Sequence, residues 1–192
     1  RCQVRACKAA VFRAISVGMN AVFDRFTTDL VATVKATGVA GLSDLAESLR
    51  PRLCDPEFAA LAFADRTIRK RVLFHDADTD VYVVAHIHEA GKRGKPHSHG
   101  ASWAIYGNVA GVTEMTEWRR VNPDDEPHAV LEPSSHYRLG PGESRAYPPY
   151  LIHSTAHPEH ALVIRVTGTD LDRIPRYGFD PKRDTIVAAV SS

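Results

Sequence analysis

Residues 96–107 read Pro-His-Ser-His-Gly-Ala-Ser-Trp-Ala-Ile-Tyr-Gly and join a loop rich in glycine and lysine to an apolar run. Residues i and i+2 of an extended segment project to the same face, so His97 and His99 share one. Two imidazoles on one face can bind one metal ion at about 2.0–2.2 Å each. The stretch therefore predicts a strand that supplies half of a metal site, although two histidines at a strand edge without a metal would show the same spacing.

The pattern of apolar residues changes near residue 64, from one typical of helices to one typical of strands. Upstream, apolar residues recur at helical spacing, and Asp55-Pro56-Glu57 has the cap and the first-turn proline of a helix start. Downstream, short runs of β-branched and aromatic residues are separated by glycine and proline turn signals. We predict strands at 67–75, 81–89, 103–108, 112–119, 129–139, 144–147 and 161–168.

Seven short strands with turns between them predict a mainly β fold, either a closed antiparallel barrel or a sandwich, because closure removes unpaired edges. We expect a single structural domain. In it, residues 1–64 form helices that pack on a barrel built from residues 65–192. The tail from Arg173 to Ser192 is expected to lie over the barrel without joining its centre.

The composition limits the classes of molecule that we expect the protein to bind. Lysine and arginine number 24 against 23 aspartates and glutamates, so neither nucleic acid nor an anionic membrane surface is an expected partner. No apolar run approaches the roughly 20 residues of a membrane span. Cys2, Cys7 and Cys54 are widely spaced, which argues against a disulfide framework and favours a cytoplasmic location. We expect a small-molecule partner and a monomer or a weak homo-oligomer.

A second segment strengthens the metal hypothesis. Pro141-Gly142 has the residues of a tight turn, because proline sets the first central position and glycine accepts a positive φ at the second. A short strand and a bend held by Pro148-Pro149 then lead to His153. His153 is therefore the candidate third ligand.

Other histidines compete for this role. His86 and His88 have the same spacing, but they continue an apolar run with no glycine-proline loop before it, so we expect them to line the barrel wall or pack beside the site. His157 and His160 flank a turn and are interpreted as surface residues, with orientation of a metal ligand as the minor alternative.

These segments resemble the two motifs of the cupin superfamily over the stretch Thr67 to Asp180. The resemblance implies a cupin barrel, that is, a double-stranded β-helix or jelly roll, with a metal ion held by His97, His99 and His153. The glutamate that usually follows the second histidine of the first motif is missing, and its places hold Trp103 and Ala104.

Three histidines without a carboxylate resemble the thiol dioxygenases, the family of cysteine dioxygenase. That resemblance implies one Fe(2+) per chain and the oxidation by O2 of a small carboxylate-bearing thiol to a sulfinate. Three imidazoles also suit zinc, nickel, copper or manganese, so the residues alone leave the metal open.

The same resemblance implies the substrate residues. A cation from the run Arg69-Lys70-Arg71 would hold the substrate carboxylate, and alternation lets only one of Lys70 and Arg71 face inward. Trp103, beside the histidines, is a further candidate contact. Tyr106, Tyr147, Tyr150 or His157 could donate hydrogen bonds to the reacting groups, and Tyr106 is the one we predict to be catalytic.

The late strand departs from the family. Its members usually carry a serine, a histidine and a tyrosine at alternate positions where this chain has Val163, Arg165 and Thr167. A cysteine that is crosslinked to that tyrosine in animal enzymes is replaced by Ala104. A buried Arg165 needs an anion, so we predict that it binds an acidic substrate group and is a catalytic residue together with Tyr106.

Alternatives remain open at this point. Arg165 could instead pair with an internal acid such as Glu114 or Glu117. Because the serine-histidine-tyrosine triad is missing, a second alternative is a three-histidine dioxygenase that acts on a diketone or an aromatic acid. A non-enzymatic metal-binding cupin is the third possibility.

Overall fold

The computed structural model describes residues 21–175, 177–180 and 185–188. Among the described residues, three α-helices precede the strands: α1 (Ala21–Thr37), α2 (Leu42–Leu53) and α3 (Pro56–Ala62), with a 3-10 turn at Gly38–Gly41 between the first two. The Asp55 side chain caps α3 as predicted and accepts a hydrogen bond from the Glu57 backbone at 2.8 Å. The N-terminal packing helices are confirmed over this range.

Eleven strands follow within the described residues. They are β1 (Lys70–Asp76), β2 (Val81–His88), β3 (Lys92–Arg93), β4 (Ala104–Ala110), β5 (Thr113–Arg120), β6 (Leu131–Leu139), β7 (Ser144–Tyr147), β8 (Ile152–His157), β9 (Ala161–Thr167), β10 (Tyr177–Asp180) and β11 (Thr185–Ala188). The seven predicted strands are all present, β7 with the predicted ends and the other six with shifted ends. The sequence analysis missed β3, β8, β10 and β11.

The eight strands β2 to β9 pair in a nested way. The first pairs with the eighth, the second with the seventh, the third with the sixth and the fourth with the fifth, all antiparallel. The result is a five-stranded sheet in the order β1-β2-β9-β4-β7 and a four-stranded sheet in the order β3-β8-β5-β6. A long hairpin rolled up in this manner is a jelly roll, so the predicted double-stranded β-helix is confirmed.

The larger sheet separates two apolar layers. Ile105 and Ile164 face the helices, where they belong to a buried cluster with Leu49 and Phe58. Their strand neighbours face the interior between the sheets. That inner cluster contains Ala104, Tyr106, Met115, Leu139, Tyr147, Ala161 and Val163.

Helix α2 packs against β4 and β7 on the outer face of the larger sheet. A Cβ added at Gly107 would lie 2.6 Å from Leu53 Cδ1, so any other residue there would force the Leu53 side chain to move. The helices thus cover one face of the sheet and leave its other face to the barrel interior.

The C-terminal segment does more than lie over the barrel. β10 pairs with β11, and it also pairs with the loop that carries the first two histidines. Ser98 N donates to Tyr177 O at 3.0 Å, and Phe179 N donates to Pro96 O at 2.8 Å. The tail therefore forms part of the wall around the candidate site, a role that the sequence analysis did not predict.

Two further expectations concern the chain as a whole. Cys54 is disulfide-bonded, which the cysteine spacing did not predict. Among the described residues, no helix is both long and apolar enough to cross a lipid bilayer.

Candidate metal centre

Backbone pairing brings two of the histidines face to face. His97 N donates to His153 O and His153 N donates to His97 O, both at 2.9 Å. The ring centroid of His99 lies 5.4 Å from that of His97 and 4.8 Å from that of His153. One potential ligand atom from each residue lies within 4.8 Å of the other two. The three predicted ligands therefore form one group that could hold a metal ion.

Hydrogen bonds orient two of the rings. His97 Nδ1 lies 3.0 Å from Lys95 O, and His153 Nδ1 lies 3.3 Å from Leu151 O. A ring whose Nδ1–H donates to a carbonyl presents an unprotonated Nε2, as metal-binding histidines do. His153 Nε2 is buried and has no hydrogen-bond partner. A metal ion is the partner that fits this nitrogen.

The electrostatics agree with this reading of the histidines. Burial, together with the neighbouring His97, lowers the pKa of His153 to about 3. The ring is then neutral at ordinary pH, as a metal ligand must be. Within the described chain the group contains three histidines and no carboxylate, so a bound divalent ion would keep its full charge for further ligands.

The predicted tyrosines differ in their positions. The Tyr106 hydroxyl lies 3.2 Å from His99 Nε2, at the edge of the metal group. Tyr147 packs its ring 5.0 Å from that of His153, but its hydroxyl is hydrogen-bonded to Tyr137 at 2.9 Å. Tyr150 is 66% exposed. Of the three, only Tyr106 has its hydroxyl at the site.

A cavity of about 410 Å³ adjoins the metal group. Its described lining residues are His86, His88, Lys92, Gly94, Lys95, Pro96, His97, Tyr106, Thr155, His157, Arg165, Gly178 and Phe179. Its volume falls in the range of about 300–1,000 Å³ that is usual for small-molecule sites.

Arg165 reaches this cavity from β9. It is 8% exposed, its Nε has no hydrogen-bond partner, and no described carboxylate forms an ion pair with it. Glu114 instead pairs with Arg138 at 3.8 Å, and Glu117 pairs with Arg145 at 3.2 Å. The alternative that Arg165 is neutralised by Glu114 or Glu117 is therefore wrong.

The structure does not bring the basic run of β1 to the site. Arg69 pairs with Glu89, Lys70 pairs with Asp172, and Arg71 donates to Leu61 O of α3 at 3.1 Å. β1 is the edge strand of the larger sheet, and none of these side chains lines the cavity. The substrate-binding role expected for Lys70 or Arg71 finds no support in this placement.

Trp103 also lies elsewhere. It belongs to the buried cluster between the sheet and the helices, and its indole packs so closely on Gly168 that an added Cβ there would lie 2.4 Å from Trp103 Nε1. Trp103 and Tyr106 are three residues apart, so in a strand they point to opposite faces. The expected substrate contact of Trp103 is not seen, and the tryptophan packs in the core instead.

Three histidines outside the metal group form a stack in the cavity wall. The rings of His88 and His157 are 3.9 Å apart and nearly parallel at 7°, and those of His86 and His88 are 5.7 Å apart at 6°. His86 and His88 therefore pack beside the site, one of the two positions considered for them. His157 is only 3% exposed, so its interpretation as a surface residue is wrong, whereas His160 is exposed.

Low pH should destabilise the metal-free protein, because the stacked histidines are buried in their neutral form. Burial, with His157 nearby, lowers the pKa of His88 to about 3, and burial, with Lys92 nearby, lowers that of His157 to about 4. Between pH 6.5 and 4 the unfolded chain binds protons that the folded chain does not, so stability falls as pH falls. We expect the free energy of unfolding to be lower by about 2–4 kcal/mol at pH 5 than at pH 7.

Urea denaturation with a chelator present measures this difference. A His157→Gln variant should show a smaller loss between the two pH values, and His160→Gln serves as the matched exposed control. An equal free energy of unfolding at pH 7 and pH 5 in the unmodified chain would contradict the prediction.

Strand pairing and the histidine group together define a class: a cupin-type barrel with three histidines that could hold a metal ion. No family model matches the chain, and no curated protein matches it. Among solved structures it is similar to KdgF from a Halomonas species, with 22% identity over 51% of this chain and 74% of that one and a TM-score of 0.41. It is also similar to a cupin superfamily protein from Desulfitobacterium hafniense, with 13% identity over 53% and 76% of the two chains and a TM-score of 0.39. A cupin-2 domain protein from Shewanella frigidimarina shares 14% identity over 50% and 76%, with a TM-score of 0.37.

Proposed function

We propose that the protein is a non-heme iron(II) dioxygenase that oxidises a small thiol carrying a carboxylate to a sulfinate. One observation supports this proposal most: a three-histidine group without a carboxylate lies beside a cavity whose buried Arg165 has no anionic partner among the described residues. The net reaction adds both atoms of O2 to sulfur, so RS⁻ + O2 gives RSO2⁻ without a further reductant. The proposed location is the cytoplasm, where a thiol substrate stays reduced, although the disulfide at Cys54 is unusual for that compartment.

Each part of the site has a role in this proposal. His97, His99 and His153 would hold Fe(2+), which when bound supplies the chemistry that joins dioxygen to sulfur. Arg165 holds the substrate carboxylate with a planar, bidentate donor. That contact fixes where the sulfur lies relative to the histidines, and such positioning is a large part of what enzymes contribute to rate.

Tyr106 and the cavity wall complete the proposed site. Tyr106 is buried with its hydroxyl beside His99, where it can donate a hydrogen bond to a group that binds next to the histidines. Phe179 and Pro96 add apolar surface to the wall. This surface limits water in the cavity, which strengthens the hydrogen bonds that Arg165 and Tyr106 make to the substrate.

Oxygen consumption tests the proposal. Protein loaded anaerobically with Fe(2+) should consume O2 when cysteine, 3-mercaptopropionate or mercaptosuccinate is added, and should form one sulfinate per O2. Uptake with 1,3-diketones or aromatic acids alone would exclude a thiol substrate. No uptake with any of them, together with tightly bound zinc in protein purified without added metal, would favour a non-enzymatic cupin.

One observation is equally consistent with the non-thiol alternative. The hydroxyl of Thr167, which replaces the tyrosine of the family triad, donates to Thr169 O at 2.8 Å, and Val163 is apolar. The interior face of β9 therefore offers Arg165 as its only charged group. An acid that binds through oxygen donors would fit such a wall as well as a thiol does.

A further inference from the structure

The cavity beside the histidines has a marked charge bias. Its charged lining residues are Arg165, Lys92 and Lys95, and no acidic side chain of the described residues lines it. The whole chain is nearly balanced, with 24 basic and 23 acidic residues, so the bias belongs to the cavity. Lys95 is paired with Asp180 at 3.2 Å. Two cations, Arg165 and Lys92, are left without a carboxylate among the described residues.

Three residues that line the same cavity also carry buried polar atoms without a hydrogen-bond partner. Arg165 Nε, His86 Nε2 and His88 Nδ1 are buried and have no partner, and the first two side chains are only 8% and 9% exposed. Most buried polar atoms in native proteins are hydrogen-bonded, and an unsatisfied one destabilises the fold. Because Arg165 and His86 both line the cavity, a ligand that binds between them would supply partners for their polar groups.

The two cations lie at different depths. Arg165 is buried on the inner face of β9, whereas Lys92 is exposed in β3, directly opposite His157 of β8. The stacked rings of His86, His88 and His157 line the wall that both cations share. A ligand that satisfies both cations must therefore extend from the interior to the mouth.

The cavity is larger than the simplest thiol acids require. A six-atom molecule such as 3-mercaptopropionate fills roughly 180 Å³ even at about 30 Å³ per heavy atom, the share of a water molecule in the liquid. The cavity measures about 410 Å³. More than half of its volume would remain for a second polar group.

We infer that the ligand of this cavity carries two acidic groups, one bound by Arg165 and His86 and the other by Lys92 at the mouth. The ligand class is a dicarboxylate. That its reacting group is a thiol rests on the proposed function, whereas the two acid-binding positions rest on the cavity alone.

Calorimetric titration of the iron-loaded protein without oxygen tests this inference. The probes are the dicarboxylates from succinate to adipate and the monocarboxylates of equal carbon number, from butyrate to hexanoate. We expect at least one dicarboxylate to bind tenfold or more tightly than its matched monocarboxylate, as a hydrogen bond to a charged group would provide.

Two neighbouring variants locate the second acidic group. Lys92→Met should reduce the advantage of the dicarboxylate to less than about threefold and leave monocarboxylate affinity unchanged. Arg93→Met is the matched control, since it removes the same charge one residue along, from an exposed side chain that does not line the cavity. It should leave both affinities unchanged.

Several outcomes would overturn the inference. These are equal affinity within every matched pair, no binding of any dicarboxylate, or an equal loss for both ligand classes in Lys92→Met. The proposed function fails separately. Dicarboxylate binding without thiol-dependent O2 uptake would refute the dioxygenase activity but support the two acid-binding positions. Equal turnover of 3-mercaptopropionate and mercaptosuccinate would refute the two acid-binding positions but support the dioxygenase activity.

Discussion

Replacing His153 by alanine is expected to weaken metal binding by more than about a hundredfold and to abolish any metal-dependent activity. Changes to residues that only orient a metal ligand cost about 10–100-fold, and this substitution removes one of three ligands outright. The Nε2 atom of His153 is buried and makes no hydrogen bond, which leaves it free to bind the metal. Alanine has no atom that could take its place as a ligand. The measurement is the increase in melting temperature on metal addition, since a metal at 100 times its Kd stabilises the fold by about 2.7 kcal/mol.

Controls separate metal loss from misfolding. His97 is less buried than His153, so His97→Ala should disturb packing less while causing the same loss of metal binding. His160→Ala changes an exposed histidine and should behave as the unmodified protein. Equimolar metal retained by both His97→Ala and His153→Ala would contradict the assigned centre.

Replacing Arg165 by methionine is expected to stabilise the ligand-free protein while removing most of its activity. A buried guanidinium without a described carboxylate partner keeps a desolvation cost that methionine, with a similar length and no charge, would relieve. We expect the free energy of unfolding to rise by about 1–3 kcal/mol. We expect kcat/KM for an acidic substrate to fall by about a hundredfold or more, because the charged partner of the carboxylate is lost.

Denaturant unfolding and steady-state kinetics measure the two effects on the same preparation. Arg145→Met is an informative comparison, because Arg145 forms an ion pair with Glu117 at 3.2 Å and its loss should bring no gain in stability. A destabilised Arg165→Met with unchanged kcat/KM would mean that the arginine is structural.

The sequence predicted the parts of the fold that depend on pattern. The family resemblance placed Val163, Arg165 and Thr167 on alternate positions of one strand, and the residues between them face the helices, because a strand has a period of two. The glycine-proline loops marked where strands end. The spacing of His97 and His99 with the later His153 then identified the metal group.

What the sequence missed also has physical reasons. β8 reads Ile-His-Ser-Thr-Ala-His, which lacks an apolar run because its inward residues are polar site residues. Had β8 been recognised, alternation from His153 would have placed His157 on the same inward face. Alternation does not say which face of an edge strand lies inward, which is why Lys70 and Arg71 stayed ambiguous. β10 pairs with a loop and with β11, and such partners leave no local signal.

Because His97 pairs directly with His153, metal binding depends on the register in which their two segments are aligned. The two residues are far apart in the chain, yet reciprocal backbone hydrogen bonds at 2.9 Å set them opposite each other. A slip of β8 by one residue would turn His153 out of the barrel and bring Ser154 in its place. Only correctly aligned molecules would then bind the ion, so metal present during refolding should favour the native alignment over its neighbours.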